Sequence, residues 1–225
     1  MYKKILLAIF ILSVTTFSQS ESEKILSQVK KKFDAIKDYE VDVKVKIDVD
    51  FLKVPDTEAK IYFKAPDKIQ MKTGDNFALI PKEGLNFSPA NLLTGKYTSM
   101  YEGETKIGGK VHHIVKVIPL GNTGDVVLST LWIDKSSFYI SKVETTTKMN
   151  GTFQIDLIYP ASSKHPLPSK MTFSFEVGKF NLPKGFGGKK KKPETTGNKT
   201  PGKVYIDYKN YKVNKGLSDS IFKKK

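Results

Sequence analysis

The sequence of 225 residues contains no cysteine and no arginine, and these two absences exclude several kinds of chemistry. Without cysteine the chain forms no disulfide and offers no thiolate as nucleophile or metal ligand, so its stability must come from packing. Without arginine it cannot make the bidentate guanidinium contacts that recognise phosphate or carboxylate groups. The formal charge of +15 is carried by lysine alone, which weakens an interpretation as a nucleic-acid-binding protein.

Long hydrophobic runs are also missing, apart from one near the N-terminus. Two lysines precede an apolar run, Ile5–Val14, and small and polar residues follow as far as Ser20. This layout predicts a cleavable signal peptide at residues 1–20, because the run is about half of the ~20 residues that span a membrane. Cleavage after Ser20 removes two lysines and no acidic residue, and leaves one domain, residues 21–225, with a formal charge of +13. We therefore expect an exported protein that is soluble after the signal is removed.

The spacing of apolar residues changes once along the chain, from a helical to a strand period. Apolar residues three and four positions apart predict an amphipathic helix from Ser22, a possible N-cap, to Tyr39. From Glu40, apolar residues alternate with charged ones as far as Phe51. Eleven alternating residues predict a half-buried strand of about 36 Å, which suits a large curved sheet.

The same alternation recurs in many short segments after this strand. Asn150-Gly151 lies between two of them and predicts a hairpin with a type I′ turn, in which both residues have positive φ. Consecutive strands with short connections favour an antiparallel sheet that is covered on one face or curled into a barrel. The other predicted strand segments are Ile61–Phe63, Val115–Val117, Leu131–Ile133, Val143–Met149, Phe153–Tyr159, Phe173–Val177 and Val204–Tyr208.

Two segments interrupt the predicted strands. Ser88–Gly95 predicts a short helix with Leu92 and Leu93, which either plugs one end of the barrel or forms a movable lid. Residues 182–202 are rich in glycine and lysine and predict a solvated loop. Its lysine run either remains in solvent or contacts an anionic membrane surface. That run consists of Lys189, Lys190, Lys191 and Lys192.

Catalytic and metal-binding patterns are scarce. His112 and His113 are adjacent in a predicted strand and point to opposite faces, so a shared metal site is not expected. His165 lies in a connection with several prolines, and no serine lies in a Gly-x-Ser-x-Gly elbow. We expect no enzymatic activity, metal or cofactor. An envelope hydrolase that uses these histidines remains as a contrasting hypothesis.

A large sheet with one apolar face favours a protein that holds an apolar ligand. The alternation shows that this face is buried, but it leaves open whether the face surrounds a cavity or a filled core. If there is a cavity, its wall is predicted to consist of Val41, Val43, Val45, Ile47, Ile61, Phe63, Phe153, Ile155, Phe173 and Phe175.

Several segments follow one another in an order that is typical of a known family. They are the amphipathic helix leading into a long strand, Ile61–Ile69 with its Lys-x-Pro-Asp end, the strand pair within Leu131–Tyr159, Leu167–Lys170, and Val204–Asn214 followed by Gly216, Leu217, Asp219 and Phe222. In this order they resemble the periplasmic lipoprotein carriers of the LolA type, with their receptor and lipid-binding relatives. The resemblance covers most of the mature chain.

The resemblance implies an α+β fold, in which an unclosed, strongly curved antiparallel β-barrel and a short helical lid surround a hydrophobic cavity. Such proteins bind the acyl chains of lipoproteins, without a cofactor, for transfer to the outer membrane. It also implies an inner-membrane lipoprotein-releasing ABC transporter as donor, an outer-membrane acceptor, and a monomer. The arginine with which family members latch the lid is absent here or replaced by lysine. A free-lipid carrier or an envelope lipoprotein sensor of the same fold remains as an alternative.

Overall fold

The structure is a computed structural model that describes residues 20–49, 55–73, 92–121, 125–176 and 201–223. This part of the chain contains one α-helix, ten β-strands and a C-terminal 3₁₀ helix. The signal segment up to residue 19, the run Lys189–Lys192 and the first half of the predicted helix 88–95 lie outside the described residues. The elements are α1 (Glu21–Asp34), β1 (Asp38–Val49), β2 (Thr57–Lys64), β3 (Lys68–Thr73), β4 (Tyr97–Ile107), β5 (Lys110–Pro119), β6 (Val126–Asp134), β7 (Ile140–Thr147), β8 (Thr152–Ile158), β9 (Lys170–Glu176), β10 (Pro201–Val213) and the 3₁₀ helix Asp219–Phe222.

All ten strands form one sheet, in the order β3-β2-β1-β10-β9-β8-β7-β6-β5-β4, and every neighbouring pair is antiparallel. Within the described residues β3 and β4 remain unpaired edges, so the sheet is not closed. β1 and β5 are six strand spacings apart, about 29 Å in a flat sheet, yet both contribute to one core cluster with α1. The sheet therefore curves around the helix, which confirms the predicted unclosed antiparallel architecture.

The predicted amphipathic helix is present, but its N-cap is Ser20 and not Ser22. Ser20 Oγ accepts a hydrogen bond from the Glu23 N–H (3.3 Å), and Glu23 Oε2 accepts one from the Ser20 N–H (3.2 Å). This reciprocal pair is a capping box. Ser22 is buried instead, because it lies on the helix face that packs against the sheet. Cleavage after Ser20 would remove the cap of this helix.

The helix also ends earlier than predicted. Its last residue is Asp34, and β1 already begins at Asp38, so the predicted helical end at Tyr39 is wrong. Ile36 continues the helical spacing in the sequence but lies in the connection, where it is buried. Apolar spacing alone therefore could not locate this boundary.

The predicted hairpin at Asn150-Gly151 is confirmed, since it joins β7 to β8. Its predicted turn type is wrong, because Gly151 has positive φ (70°) and Asn150 does not. The turn is longer than two residues: the Thr147 N–H donates to the Gly151 carbonyl (2.8 Å), and Thr147 Oγ1 accepts from the Asn150 N–H (3.0 Å). The threonine side chain thus stabilises a longer turn that requires only one left-handed residue.

Two strands, β3 and β4, are not predicted by the apolar alternation; they are the edges of the sheet. β3 is short and exposes most of its side chains, and only two apolar residues, Ile69 and Met71, mark its inner face. In β4 the register shifts between Tyr101 and Gly103, where glycine has a φ of 107°. This bulge reverses the alternation in the middle of the strand.

The end of the sheet at which β1 begins, here called the tied end, is held by residues that follow β10. Asn214 Nδ2 donates to the Ala35 carbonyl (3.0 Å), and Asn214 Oδ1 accepts from the N–H groups of Lys37 (2.7 Å) and Asp38 (3.3 Å). One side chain therefore connects the end of α1, the start of β1 and the C-terminal segment.

Two carboxylates complete the tied end. The buried Asp38 accepts hydrogen bonds from the Gly216 N–H (3.0 Å to Oδ2), and Asp219 accepts from the ammonium groups of Lys64 (2.9 Å) and Lys68 (3.0 Å). At the opposite end, here called the far end, β1, β3, β5, β7 and β9 finish. Among the described residues, those that follow β10 thus fasten the tied end.

Candidate ligand-binding face

The sheet has an inner face, which packs against α1, and an outer face. Val41 lies opposite Ile61, and Ile155 lies opposite Phe173, so these pairs share a face of the sheet. The same register and ring contacts place all ten predicted cavity residues on the inner face, whereas their role in lining a cavity stays a prediction. Val41, Val43, Val45, Ile61, Ile155 and Phe175 are buried, and Ile47, Phe63, Phe153 and Phe173 are partly buried.

One incompletely covered part of the inner face lies on β8 and β9 toward the far end. Three rings form a continuous surface there, here called the phenylalanine wall: Phe153, Phe173 and Phe175. The ring centroids of Phe153 and Phe173 are 5.1 Å apart, and those of Phe173 and Phe175 are 5.2 Å apart. Phe153 and Phe173 point inward but keep part of their surface accessible. The described residues therefore leave apolar surface of the inner face uncovered.

A bulge in β10 adds one aromatic residue, Tyr211, to the inner face, where alternation from the predicted strand Val204–Tyr208 does not place it. Asn210 has a φ of 57°, and its Nδ2 donates to Asp42 Oδ2 (2.9 Å) on β1. The register shifts at this point, so Tyr208 and Tyr211 both pack against the core although they are three positions apart. Strict alternation would place them on opposite faces. The available signal was the asparagine within the strand, since asparagine tolerates the left-handed conformation.

Tyrosine rings cover the inner face near the tied end. The Tyr159 hydroxyl donates to the Ile140 carbonyl (2.8 Å), and the Tyr211 hydroxyl donates to the Pro168 carbonyl (3.0 Å). Burial raises the pKa of Tyr39 to about 12 and also raises the pKa of Tyr159 and Tyr211. These phenols stay neutral over the physiological pH range, so the tyrosine-covered region offers an uncharged surface.

Hydroxyl groups join α1 to the far half of β4. Ser99 Oγ donates to Ser22 Oγ (3.0 Å), and Ser20 Oγ lies 3.0 Å from Ser22 Oγ. A second hydroxyl pair, Ser129 Oγ and Thr145 Oγ1, is fully buried at 3.0 Å. These polar groups satisfy one another, which lets them lie beneath an apolar core.

The two leucines predicted for the lid lie against the core. Leu93 is buried and belongs to the core cluster, and Leu92 packs against it. Gly95 follows with a φ of 80°, a conformation that favours glycine. Whether this segment opens stays a prediction.

The outer face is charged and offers a different kind of surface. Lys60 pairs with Asp42 (2.6 Å), and Lys44 pairs with Asp56 (2.9 Å). A groove of about 460 Å³ on this face has lysine and carboxylate side chains in its wall. Acyl chains would have to displace the water bound to these charges, so the apolar inner face is the better candidate site.

The adjacent histidines each have their own partners. His112 Nε2 lies 2.9 Å from Ser141 Oγ, and its Nδ1 lies 3.0 Å from the Lys110 carbonyl. His113 Nδ1 lies 3.4 Å from Glu104 Oε1. His112 is 2% exposed, so its pairing with a serine hydroxyl does not open onto a substrate cleft.

His165 lies in the connection between β8 and β9. Among the described residues, no group of three or more His, Asp or Glu side chains is placed to hold a metal ion. Within the same residues, no helix is both long and apolar enough to cross a lipid bilayer.

An unclosed antiparallel sheet curved around one helix, with an apolar inner face, defines the structural class of this protein. No protein-family model matches the sequence, and no curated protein matches it either. Solved structures do match, over nearly the whole chain.

A candidate outer membrane lipoprotein-sorting protein domain from Vibrio parahaemolyticus has a TM-score of 0.60 at 10% identity, covering 88% of this chain and 94% of its own. A LolA superfamily protein from Nitrosomonas europaea has a TM-score of 0.57 at 12% identity, covering 92% and 99%. A DUF1329 family protein from Desulfovibrio piger has a TM-score of 0.59 at 13% identity, covering 91% and 98%. The fold is therefore that of LolA-superfamily proteins, which confirms the resemblance noted in the sequence.

Proposed function

We propose that this protein binds the acyl chains of lipoproteins on the inner face of its sheet and carries them through the periplasm toward the outer membrane. The observation that carries this proposal is the phenylalanine wall. Its rings point inward on a curved sheet, yet Phe153 and Phe173 are only partly buried. An acyl chain laid against them would remove apolar surface from water, which is the main source of affinity for such ligands.

Incomplete enclosure also fits a carrier that must release its cargo. Each buried methylene group contributes about 0.8 kcal/mol, so a fully enclosed chain of about sixteen carbons would gain on the order of 13 kcal/mol. Such binding would be too tight for rapid transfer. Partial contact with a wall near the far end gives a smaller gain and leaves a path of exit.

The comparisons and the sequence support the cellular setting of this proposal. One solved neighbour is a candidate lipoprotein-sorting domain and another belongs to the LolA superfamily. The signal-like N-terminus favours export. By the same resemblance, we infer that an inner-membrane ABC transporter supplies the cargo and that an outer-membrane acceptor receives it.

Binding is favoured over hydrolysis by the state of the histidines. A hydrolase needs a nucleophile and a base that a substrate can reach. His112 and Ser141 are within hydrogen-bond distance, but the imidazole is buried. The phenylalanine wall on the inner face consists of apolar side chains instead.

The first experiment identifies what the protein holds. The protein is purified from its native periplasm, studied by native mass spectrometry, and then denatured to release bound molecules. Acylated lipoprotein supports the carrier function, whereas free lipid favours the alternative of a lipid carrier of the same fold. A protein that is always empty and does not bind added acylated peptide would contradict both.

A pair of variants then tests the phenylalanine wall. Phe173→Asn places a polar amide on the inner face, and Ser174→Asn places the same amide on the outer face of the same strand. We expect the first variant to bind a fluorescent acylated peptide about tenfold more weakly and the second to bind it normally. Thermal unfolding of both variants checks that they are folded. Equal affinities in two folded variants would refute the assignment of the inner face.

A further inference from the structure

Three exposed apolar side chains lie at the far end, on or directly beside the connections β5–β6 and β7–β8; one of them belongs to the start of β6. They are Leu120, Val127 and Met149, here called the apolar tip, and they are 51%, 45% and 74% exposed. The register brings these connections side by side, because Val126 pairs with Thr147. Large apolar side chains clustered on an exposed turn are unfavourable in water unless they have a partner.

The tip is held in place by one aspartate. The Asp125 carboxylate accepts hydrogen bonds from the Met149 N–H (3.1 Å) and from Asn150 Nδ2 (3.2 Å), and its backbone carbonyl accepts from the Lys148 N–H (2.9 Å). These bonds fasten the β7–β8 turn to the start of β6. Met149 therefore lies on a turn that these hydrogen bonds hold in place, and its side chain is exposed to solvent.

The surroundings of the tip are basic. Lys148 precedes Met149, and the Lys96 carbonyl accepts a hydrogen bond from the Leu120 N–H (2.8 Å), which places a second exposed lysine beside the tip. Apolar side chains flanked by lysine complement an anionic bilayer, whose headgroups attract the lysines while the apolar groups enter the interface.

We propose that the apolar tip inserts into the headgroup region of an anionic lipid bilayer and orients the far end of the sheet toward the membrane. A second copy of the chain is a poorer fit, because stable dimers bury about 800 Å² on each partner and three side chains at one end of the sheet offer much less. The membrane contact requires no cargo, so it can be tested independently of the proposed carrier function.

Vesicle flotation tests this contact. The mature protein is mixed with vesicles of phosphatidylethanolamine and phosphatidylglycerol, or with neutral phosphatidylcholine vesicles, and the floating fraction is measured. We expect binding to the anionic vesicles, and at least about tenfold weaker binding after the double substitution Leu120→Ser and Met149→Ser. Binding of the acylated peptide should not change.

The matched control is Ile158→Ser, which removes an apolar side chain of similar exposure (57%) at the tied end. This variant should float like the unsubstituted protein. The proposal is overturned if the unsubstituted protein does not float with anionic vesicles, or if the tip variant and the control lose equal binding. It is also overturned if the tip variant only abolishes a dimer detected by analytical ultracentrifugation.

Discussion

Asp134 holds the connection between β6 and β7, and its replacement by asparagine should make the stability of the protein less dependent on pH. Its Oδ1 accepts hydrogen bonds from the N–H and hydroxyl groups of Ser136 (3.0 and 2.6 Å) and Ser137 (2.8 and 3.0 Å). The side chain is only 6% exposed. Burial by itself would raise the pKa of this carboxyl, but the hydrogen bonds outweigh burial and lower the pKa from 3.8 to about 2.

The size and sign of the effect follow from this pKa. A value of about 2 in the folded chain, against 3.8 for the free group, corresponds to about 2 kcal/mol of stabilisation of the folded state. Because the folded-state pKa is the lower one, this stabilisation is fully present above about pH 4 and is lost as the pH falls toward 2. Asp134→Asn should therefore lower the free energy of unfolding by about 2 kcal/mol at neutral pH and by much less near pH 2.

Urea unfolding, followed by the fluorescence of the single tryptophan, Trp132 on β6, measures this difference. Asp34→Asn is the control, because Asp34 forms only an exposed pair with Lys30 (3.0 Å) on the helix surface. Its loss should cost less than about 0.5 kcal/mol. An equal difference in the free energy of unfolding between Asp134→Asn and the unsubstituted protein at neutral pH and near pH 2 would refute this role of Asp134.

Two further variants test how the tied end and the core are held. Asn214 has a φ of 55° and makes three side-chain hydrogen bonds. Asn214→Gly removes the hydrogen bonds but tolerates this φ, whereas Asn214→Ala removes them and is also strained. In urea unfolding, the alanine variant should therefore have a free energy of unfolding about 1 kcal/mol lower than the glycine variant. Equal stability of the two would contradict a role for the backbone conformation. Thr145→Val leaves the buried Ser129 hydroxyl without its partner and should cost about 1–3 kcal/mol, part of which Ser129→Ala in the same chain should restore. A double variant less stable than Thr145→Val alone would argue against this pairing.

Much of the fold could be predicted because its strands are half-buried. In β1, Val41, Val43 and Val45 are buried, whereas Lys44 and Lys46, which alternate with them, are exposed, so each face of the strand is visible in the sequence. The edge strands β3 and β4 could not be found in the same way. One exposes most of its side chains, and the other contains the bulge at Gly103.

The candidate site was only partly visible in the sequence. Alternation identified the apolar residues of β1, β2, β8 and β9, and the structure places them on one face. It could not identify Tyr211, because the left-handed Asn210 changes the face on which the following residues lie. Nor could it identify Met149 as part of an apolar tip, because that surface combines two connections that are separated in the chain.

By itself, the sequence determined the local structure: the period of apolar residues specifies a helix followed by strands, and the absence of cysteine leaves packing to stabilise them. Only the tertiary structure decided which residues lie side by side. Strand order, register and bulges depend on hydrogen bonds between distant segments, as between Asn214 and the residues around Asp38. The phenylalanine wall and the apolar tip arise from such pairings, since neither surface exists within a single strand.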